Sequence, residues 1–412
     1  MTRSISKFLI LAYAFSLSLP ITFPWTILTI GLLGMLIHFG ILRFRGETRE
    51  LKEVFAAPLS VPIGIFALAV FISGMANGGI HEAMQSIQGL RGMLVYFWAY
   101  WAFASSSSNI LSANPSLKVL SVCAILIGGT LAGLSAGIEQ LTGYHPFSVP
   151  YLQGTGFLSG PMAFSGLAQL LSLLSLGILM KDGYKGLPGW LSRPYIFGTI
   201  ILGNCLGLLF CSERSAWLGA IIALLFTSFI VSRRATIFTS LLLALTAVLS
   251  WLAVPVVKER LMALLDWQKD VSVSTRFILW QRALAVFKES PVFGIGIRHF
   301  PHLRIEEALK QGHAALDHAH SNYLHILATT GVVGICAYFY LWFAAIKTAF
   351  LNQKIVGFSK LEQGIYLGIF AGIVSLAVSG LFEYNFGTGQ VRLAQWFLLA
   401  MLVIPKKSDQ MV

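Results

Sequence analysis

The chain is a succession of apolar runs separated by short polar links. The runs fall near 5–20, 25–42, 58–76, 92–105, 117–138, 162–180, 195–211, 215–231, 236–255, 321–346, 361–382 and 390–404. They are continuous rather than alternating, so the pattern of membrane barrel strands is absent. A helix of about 20 mostly apolar residues crosses the hydrocarbon with its backbone hydrogen bonds closed internally. The pattern therefore predicts an all-α polytopic membrane protein of about twelve spans, with both termini on one side and a single domain over 1–412. Two links on the opposite side are longer. One, 139–161, is rich in Gly, Pro and aromatic residues; the other, 256–320, is the only sizeable water-facing module. The first run follows a mildly basic Met1–Lys7 and lacks a small-residue cleavage site. Pro20 and Pro24 then lead into the second run, which reads as a retained helix.

Composition agrees. Of 412 residues 56% are hydrophobic and only 11% charged, with a mean hydropathy of +0.76, too little charge to cover a soluble domain of this length. The formal net charge of +12 is distributed as a topology signal. With the termini inside, the inner links hold 17 of the 29 basic residues and six of the 17 acids, a local charge of +11 against +1 outside. Short basic loops stay cytoplasmic. The basic balance thus calls for no nucleic-acid partner. Cys123, Cys205, Cys211 and Cys336 lie in or beside apolar runs, without disulfide or zinc spacing, and read as small buried apolar residues.

Chemistry concentrates on the outer side. Ser272-Val273-Ser274-Thr275 can cap a helix over Arg276–Glu289, stopped by Ser290-Pro291. At 100° per residue, Trp280, Leu284 and Phe287 share the face of Arg276, while Gln281, Arg282, Lys288 and Glu289 lie opposite. Arg276 is then a cation on an apolar face and in a first turn, where the helix dipole disfavours it unless an anion binds. A snorkelling arginine with its stem over Trp280 is the other reading. Arg214, in the tight link Cys211–Trp217, suits bidentate phosphate binding; an ion pair with Glu213 is the alternative. Arg91 and Arg392, at outer span ends, read as interfacial anchors. Arg282 and Arg298 of the long loop are further candidates for donor binding.

Six of the nine histidines lie between His299 and His325. In a helix over 318–325, His318 and His320 would point about 200° apart and could not share an ion. Nearby carboxylates are few (Glu306, Glu307 and Asp317), and the chain has no Asp-x-Asp pair. No metal site and no cofactor is expected. A neutral imidazole at the start of the tenth span, His320, can serve as a base or simply hydrogen-bond at a helix start; His318 is its rival. Gly294-Ile295-Gly296 lacks the rest of a phosphate loop and reads as a tight turn.

Three segments together resemble the O-antigen ligase and polymerase superfamily. They are Ser212-Glu213-Arg214-Ser215-Ala216-Trp217-Leu218-Gly219; Ser274–Trp280 continuing through Pro291–Gly296; and His318-Ala319-His320-Ser321-Asn322-Tyr323-Leu324 leading to Thr330–Gly334. Gly380–Phe386 resembles that family's usual ending, so the likeness extends over about Tyr195 to Leu399. It differs in one place: the family's histidine is commonly followed by Asn, and here by Ser321, with Asn322 one position on. The resemblance implies a GT-C type membrane glycosyltransferase of the Gram-negative inner membrane, working at the periplasmic face without a metal. It would move a glycan from undecaprenyl pyrophosphate to a sugar hydroxyl of lipid A–core, inverting the anomeric centre. Arg214 and Arg276 would hold the donor pyrophosphate and His320 would be the acceptor's base. The alternatives are a polymerase of the same superfamily, whose acceptor is a second lipid-linked glycan, and a non-enzymatic flippase for lipid-linked sugars. The flippase would need repeated halves around a central cavity, and the sequence shows no repeat.

Overall fold

The computed structural model describes residues 3–47, 49–106, 116–145, 153–263, 271–302 and 317–402. Parts of the long outer link, with Glu306 and Glu307, lie outside the described residues, as do Pro146 and Phe147 of the shorter link and Lys406 and Lys407 near the C-terminus. The helices are α1 (Arg3–Ser16), α2 (Thr22–Phe44), α3 (Arg49–Phe55), α4 (Ser60–Gly89), α5 (Leu94–Ser106), α6 (Leu117–Thr142), α7 (Pro161–Met180) and α8 (Pro194–Phe210). They continue as α9 (Arg214–Val231), α10 (Arg233–Ala253), α11 (Pro255–Met262), α12 (Val271–Glu289), α13 (Asn322–Asn352), α14 (Lys360–Ser379) and α15 (Gly389–Leu399). The described residues contain no strand. Each of the twelve apolar runs falls on a helix, and among the described residues eight helices are long and apolar enough to cross a membrane. The protein is an all-α, multi-pass membrane protein.

Local chemistry sets the boundaries. Pro161, Pro194 and Pro255 each open a helix at its first turn, where a missing N–H costs nothing. Ser116, Ser232 and Ser321 cap α6, α10 and α13 through their hydroxyls, and Ser359 with Glu362 forms a capping box on α14.

The centre of the bundle is α7 against α14: 78% and 72% of their apolar windows are buried, against 11% for α10, which faces lipid. Lipid tails are as apolar as leucine, so close backbone approach and hydrogen bonds hold such helices together. At the α7–α14 contact Gly177 lies against the backbone of Gly364 and Gly368. Of the cysteines, Cys123 and Cys211 are buried as expected, whereas Cys336 is exposed on the apolar flank of α13.

Helix α12 is fastened by a break in α13. Gly331 adopts φ 65° and ψ −164°, open only to glycine, and a β-carbon there would lie 2.3 Å from the Val292 carbonyl oxygen. The break releases carbonyls and amides from the α13 ladder, and the segment 291–296 takes them up. Ile295 N donates to Ala328 O and Gly296 N to Thr329 O, while Val332 N donates to Pro291 O. Ser73 Oγ and Asn77 Nδ2 of α4 donate to Phe293 O and Gly294 O from the other side. Gly294-Ile295-Gly296 is thus a strap across a broken helix rather than a bare turn.

Candidate active site

Four links meet at one end of the bundle: the α8–α9 turn, the start of α12, the residues leading into α13, and the turn between α14 and α15. Glu383, in the last of these, lies at their centre. Arg276 Nη2 donates to Glu383 Oε1 at 2.6 Å, with the two side chains only 14% and 11% exposed. The remaining guanidinium contacts fix the plane. Nε donates to Phe382 O at 3.0 Å, and Nη1 donates to both Ser272 O and Ser272 Oγ. Four of five guanidinium donors are therefore engaged, which holds the charge rigidly beside the carboxylate. The charge neutralisation that the sequence asked of a bound anion is supplied here by Glu383.

The second oxygen of the same carboxylate faces His320, whose Nδ1 lies 3.3 Å from Glu383 Oε2. His320 sits at φ +44°, a left-handed conformation uncommon for a residue with a side chain. Its backbone N–H donates to His318 Nδ1, and the two rings are 4.3 Å apart. The adjoining residues hold this bend. Ser321 Oγ caps α13. Buried Asn322 donates to Asn385 Oδ1 and accepts from Phe386 N, and its own backbone N–H donates to Gly380 O. Ser321 is thus the helix cap. The asparagine one residue on clamps the Glu383 turn.

Arg214 opens α9 one residue after Glu213, and the turn before it holds Ser212 at φ +54° and buried. Ser215 and Ala216 line a cleft of about 10 Å³ together with Glu383, Asn385 and Thr388. This is room for about one water and none for a sugar, so the cleft forms the rear wall of the site. Behind it a buried chain of hydrogen bonds ties α7 to α9 and α14. Gln169 of α7 donates to Ala216 O and to Ser375 Oγ and accepts from Ser379 Oγ, which in turn accepts from Asn385 Nδ2. Gly219 allows α9 this close, since a β-carbon there would meet Gln169 Nε2 at 2.5 Å.

The electrostatics split the two carboxylates. Burial, then the charge of Glu383, pushes Glu213 up to about 7, although Arg276, Arg260 and Arg214 pull it down. Burial also acts upward on Glu383, but the hydrogen bond from His320 and the charge of Arg276 outweigh it and hold that carboxyl below its ordinary value. Burial and the neighbouring His320 push His318 down to about 4, so it is neutral at pH 7.

Several expectations need correcting. The helix bearing Arg276 begins at Val271, so Ser272–Thr275 form its first turn and do not cap it. Its buried stripe is Leu279, Ala283 and Val286, on the other flank of Arg276, while Leu284 is exposed. The divergence of His318 and His320 assumed a helix there; α13 begins at Asn322, and the two rings adjoin. The structure brings Arg276 and His320 onto one carboxylate and sets the Arg214 turn beside them. It leaves Arg282 farther along α12, its Nε buried without a partner, and Arg298 exposed beyond the strap. Among the described residues no three of His, Cys, Asp and Glu form a ligand set for a metal. Sequence reading missed Glu383, Gln169 and the Asn322–Asn385 clamp. The signal for Glu383 was a lone acid in an apolar stretch within the segment Gly380–Phe386.

Residues 198–339, about a third of the chain, match the family model described as O-antigen ligase. That stretch carries Arg214, Arg276, His318 and His320, and supports the O-antigen ligase/polymerase superfamily. The match points to a glycosyltransferase-type enzyme of that superfamily, which implies in general a lipid-linked glycan and an acceptor as partners. No curated protein matches the chain.

Proposed function

We propose that the protein is a ligase-type, inverting glycosyltransferase that needs no metal. In this reading it moves an undecaprenyl-pyrophosphate-linked O-antigen glycan to a sugar hydroxyl of lipid A–core at the periplasmic face of a Gram-negative inner membrane. The observation that carries the reading is the sharing of Glu383 by Arg276 and His320. Held as a carboxylate, Glu383 accepts the Nδ1–H of His320, which leaves the lone pair on Nε2. His318 is the weaker choice of base, because its Nδ1 is taken by the His320 amide and burial keeps its proton affinity low.

The chemistry is then a single displacement. The acceptor hydroxyl oxygen forms a bond to the anomeric carbon as its proton passes to His320 Nε2. The bond from that carbon to the pyrophosphate oxygen breaks, and undecaprenyl pyrophosphate leaves from the opposite face. Arg214 and Arg276 balance the charge that grows on the leaving group, in surroundings of low dielectric where fixed cations act strongly. The engaged donors of Arg276 mean that it contributes a pre-aimed charge and little motion.

The test is transfer by the purified protein from a lipid-linked glycan, with lipid A–core and a second lipid-linked glycan competing as acceptors, with and without chelator. Transfer to core that survives chelation supports the proposal. Transfer only to the second glycan makes the protein a polymerase. In cells, unchanged lipopolysaccharide in a normally expressed His320→Ala variant would rule out His320 as the base.

A further inference from the structure

Arg392 does not behave as an interfacial anchor. An anchoring arginine leaves its whole guanidinium to water and headgroups, but Arg392 is partly buried and lies back across the turn before α5. Its Nη1 donates to Gly89 O at 2.9 Å. Its Cδ and Nε lie against Gly92, within 2.9 Å of where a β-carbon would stand. The Nε atom is buried and has no hydrogen-bond partner. The charged or ionisable groups that act on it are Tyr384 and a second cation, Arg91. Arg91 is exposed and packs over the Trp25 ring with its guanidinium carbon 4.7 Å from the centroid. Among the described residues neither arginine has a carboxylate within ion-pair distance. Arg392 also lies in the first turn of α15, where the helix dipole opposes a cation. Two like charges and a helix N-terminus meet here, and an anion at the exposed side of the guanidinium would relieve both.

The position of this pair relative to His320 indicates which anion. Glu383 and Tyr384 are consecutive and face different ways. Glu383 meets Arg276 and His320, whereas the Tyr384 ring lies 5.4 Å from His318 and 4.1 Å from His325. Tyr384 is the residue of this turn that acts on Arg392, so the arginine pair lies on the Tyr384 side of the turn. In an inverting displacement the nucleophile approaches the anomeric carbon from the face opposite the leaving group. An anion site on the Tyr384 side of the turn, with the donor-binding Arg276 on the Glu383 side, suits the acceptor. We infer that Arg91 and Arg392 form a second anion site, which holds a phosphate group of the acceptor glycolipid while His320 takes the proton of its sugar hydroxyl. This rests on the function proposed above.

The test uses the full-length protein in phosphatidylcholine nanodiscs, with lipid A–core as acceptor in its phosphorylated form and after enzymatic dephosphorylation. Loss of one charge-assisted contact should raise KM for the phosphorylated acceptor about tenfold in Arg91→Gln and in Arg392→Gln. The kcat and the donor KM should hold, Arg392→Lys should recover part of the loss, and the variants should match wild type on the dephosphorylated acceptor. Equal losses on both acceptor forms, or no loss on either, would overturn the inference. Arg91 is exposed, so its variant remains informative if Arg392→Gln folds poorly. A wild-type protein that transfers nothing would instead count against the proposed function. Binding in the same nanodiscs then decides the site separately. Wild type should prefer phosphorylated over dephosphorylated lipid A–core about tenfold, a preference lost in both variants. Equal binding of the two forms overturns the site, and equal preference for phosphatidylglycerol reassigns it to bulk phospholipid and overturns the acceptor assignment.

Discussion

Arg276 and Glu383 are 107 positions apart in the chain and form a 2.6 Å charged hydrogen bond at the mouth of the bundle. The pair joins helix α12 to the turn that orients His320, so stability and proposed catalysis share one carboxylate.

Glu383→Gln keeps the shape and removes the charge. Breaking a mostly buried pair while leaving its cation in place costs about 3 kcal/mol. Loss of the fixed imidazole orientation should lower kcat about 10²–10⁴-fold with little change in donor KM. Thermal unfolding in nanodiscs and steady-state kinetics measure both; normal kcat would remove Glu383 from the mechanism.

The two carboxylates should give opposite pH dependences of stability. Glu213 has a folded value near 7, above its ordinary 4.5. The folded state therefore binds more protons than the unfolded one between those values, and this contribution declines as pH rises from about 4.5 to about 7. Glu383 is held low, so its contribution is present above its ordinary value and is lost as pH falls through the lower folded one. Melting temperature followed across pH 4–8 should lose part of its decline above pH 4.5 in Glu213→Gln. An unchanged slope in that variant would show that Glu213 titrates normally.

Ser321 and Asn322 separate capping from clamping. Ser321→Ala removes an N-cap and should cost about 1 kcal/mol. Asn322→Ala leaves a buried amide oxygen and a buried N–H unsatisfied and should cost about 2–3 kcal/mol. Transfer by folded Asn322→Ala should fall as the Glu383 turn loosens, while Ser321→Ala stays near wild type. Comparable effects of the two would refute the division.

Gly331→Ala tests the strap. The added methyl meets the Val292 carbonyl in a backbone conformation that alanine avoids, at a cost of roughly 2–4 kcal/mol. Hydrogen exchange should quicken over 291–296 and along α12. If protection there persists, the strap is not what holds α12 to the bundle.

The sequence by itself determined the class of the protein. Continuous apolar runs and the one-sided placement of lysine and arginine are local quantities, and lipid leaves a run of that length only the helix. It also marked Arg214, Arg276 and His320, because a cation or an imidazole at the outer end of an apolar run breaks a local rule. Tertiary structure alone decided what these groups meet. Glu383 is unremarkable among its neighbours and acquires its role from α14 ending beside α12 and α13. The bend that aims His320 depends on Asn322 reaching the 380–386 turn. The buried stripe of α12 was set by what packs on it, since an amphipathic helix with apolar residues on two flanks leaves the choice of flank to its neighbours.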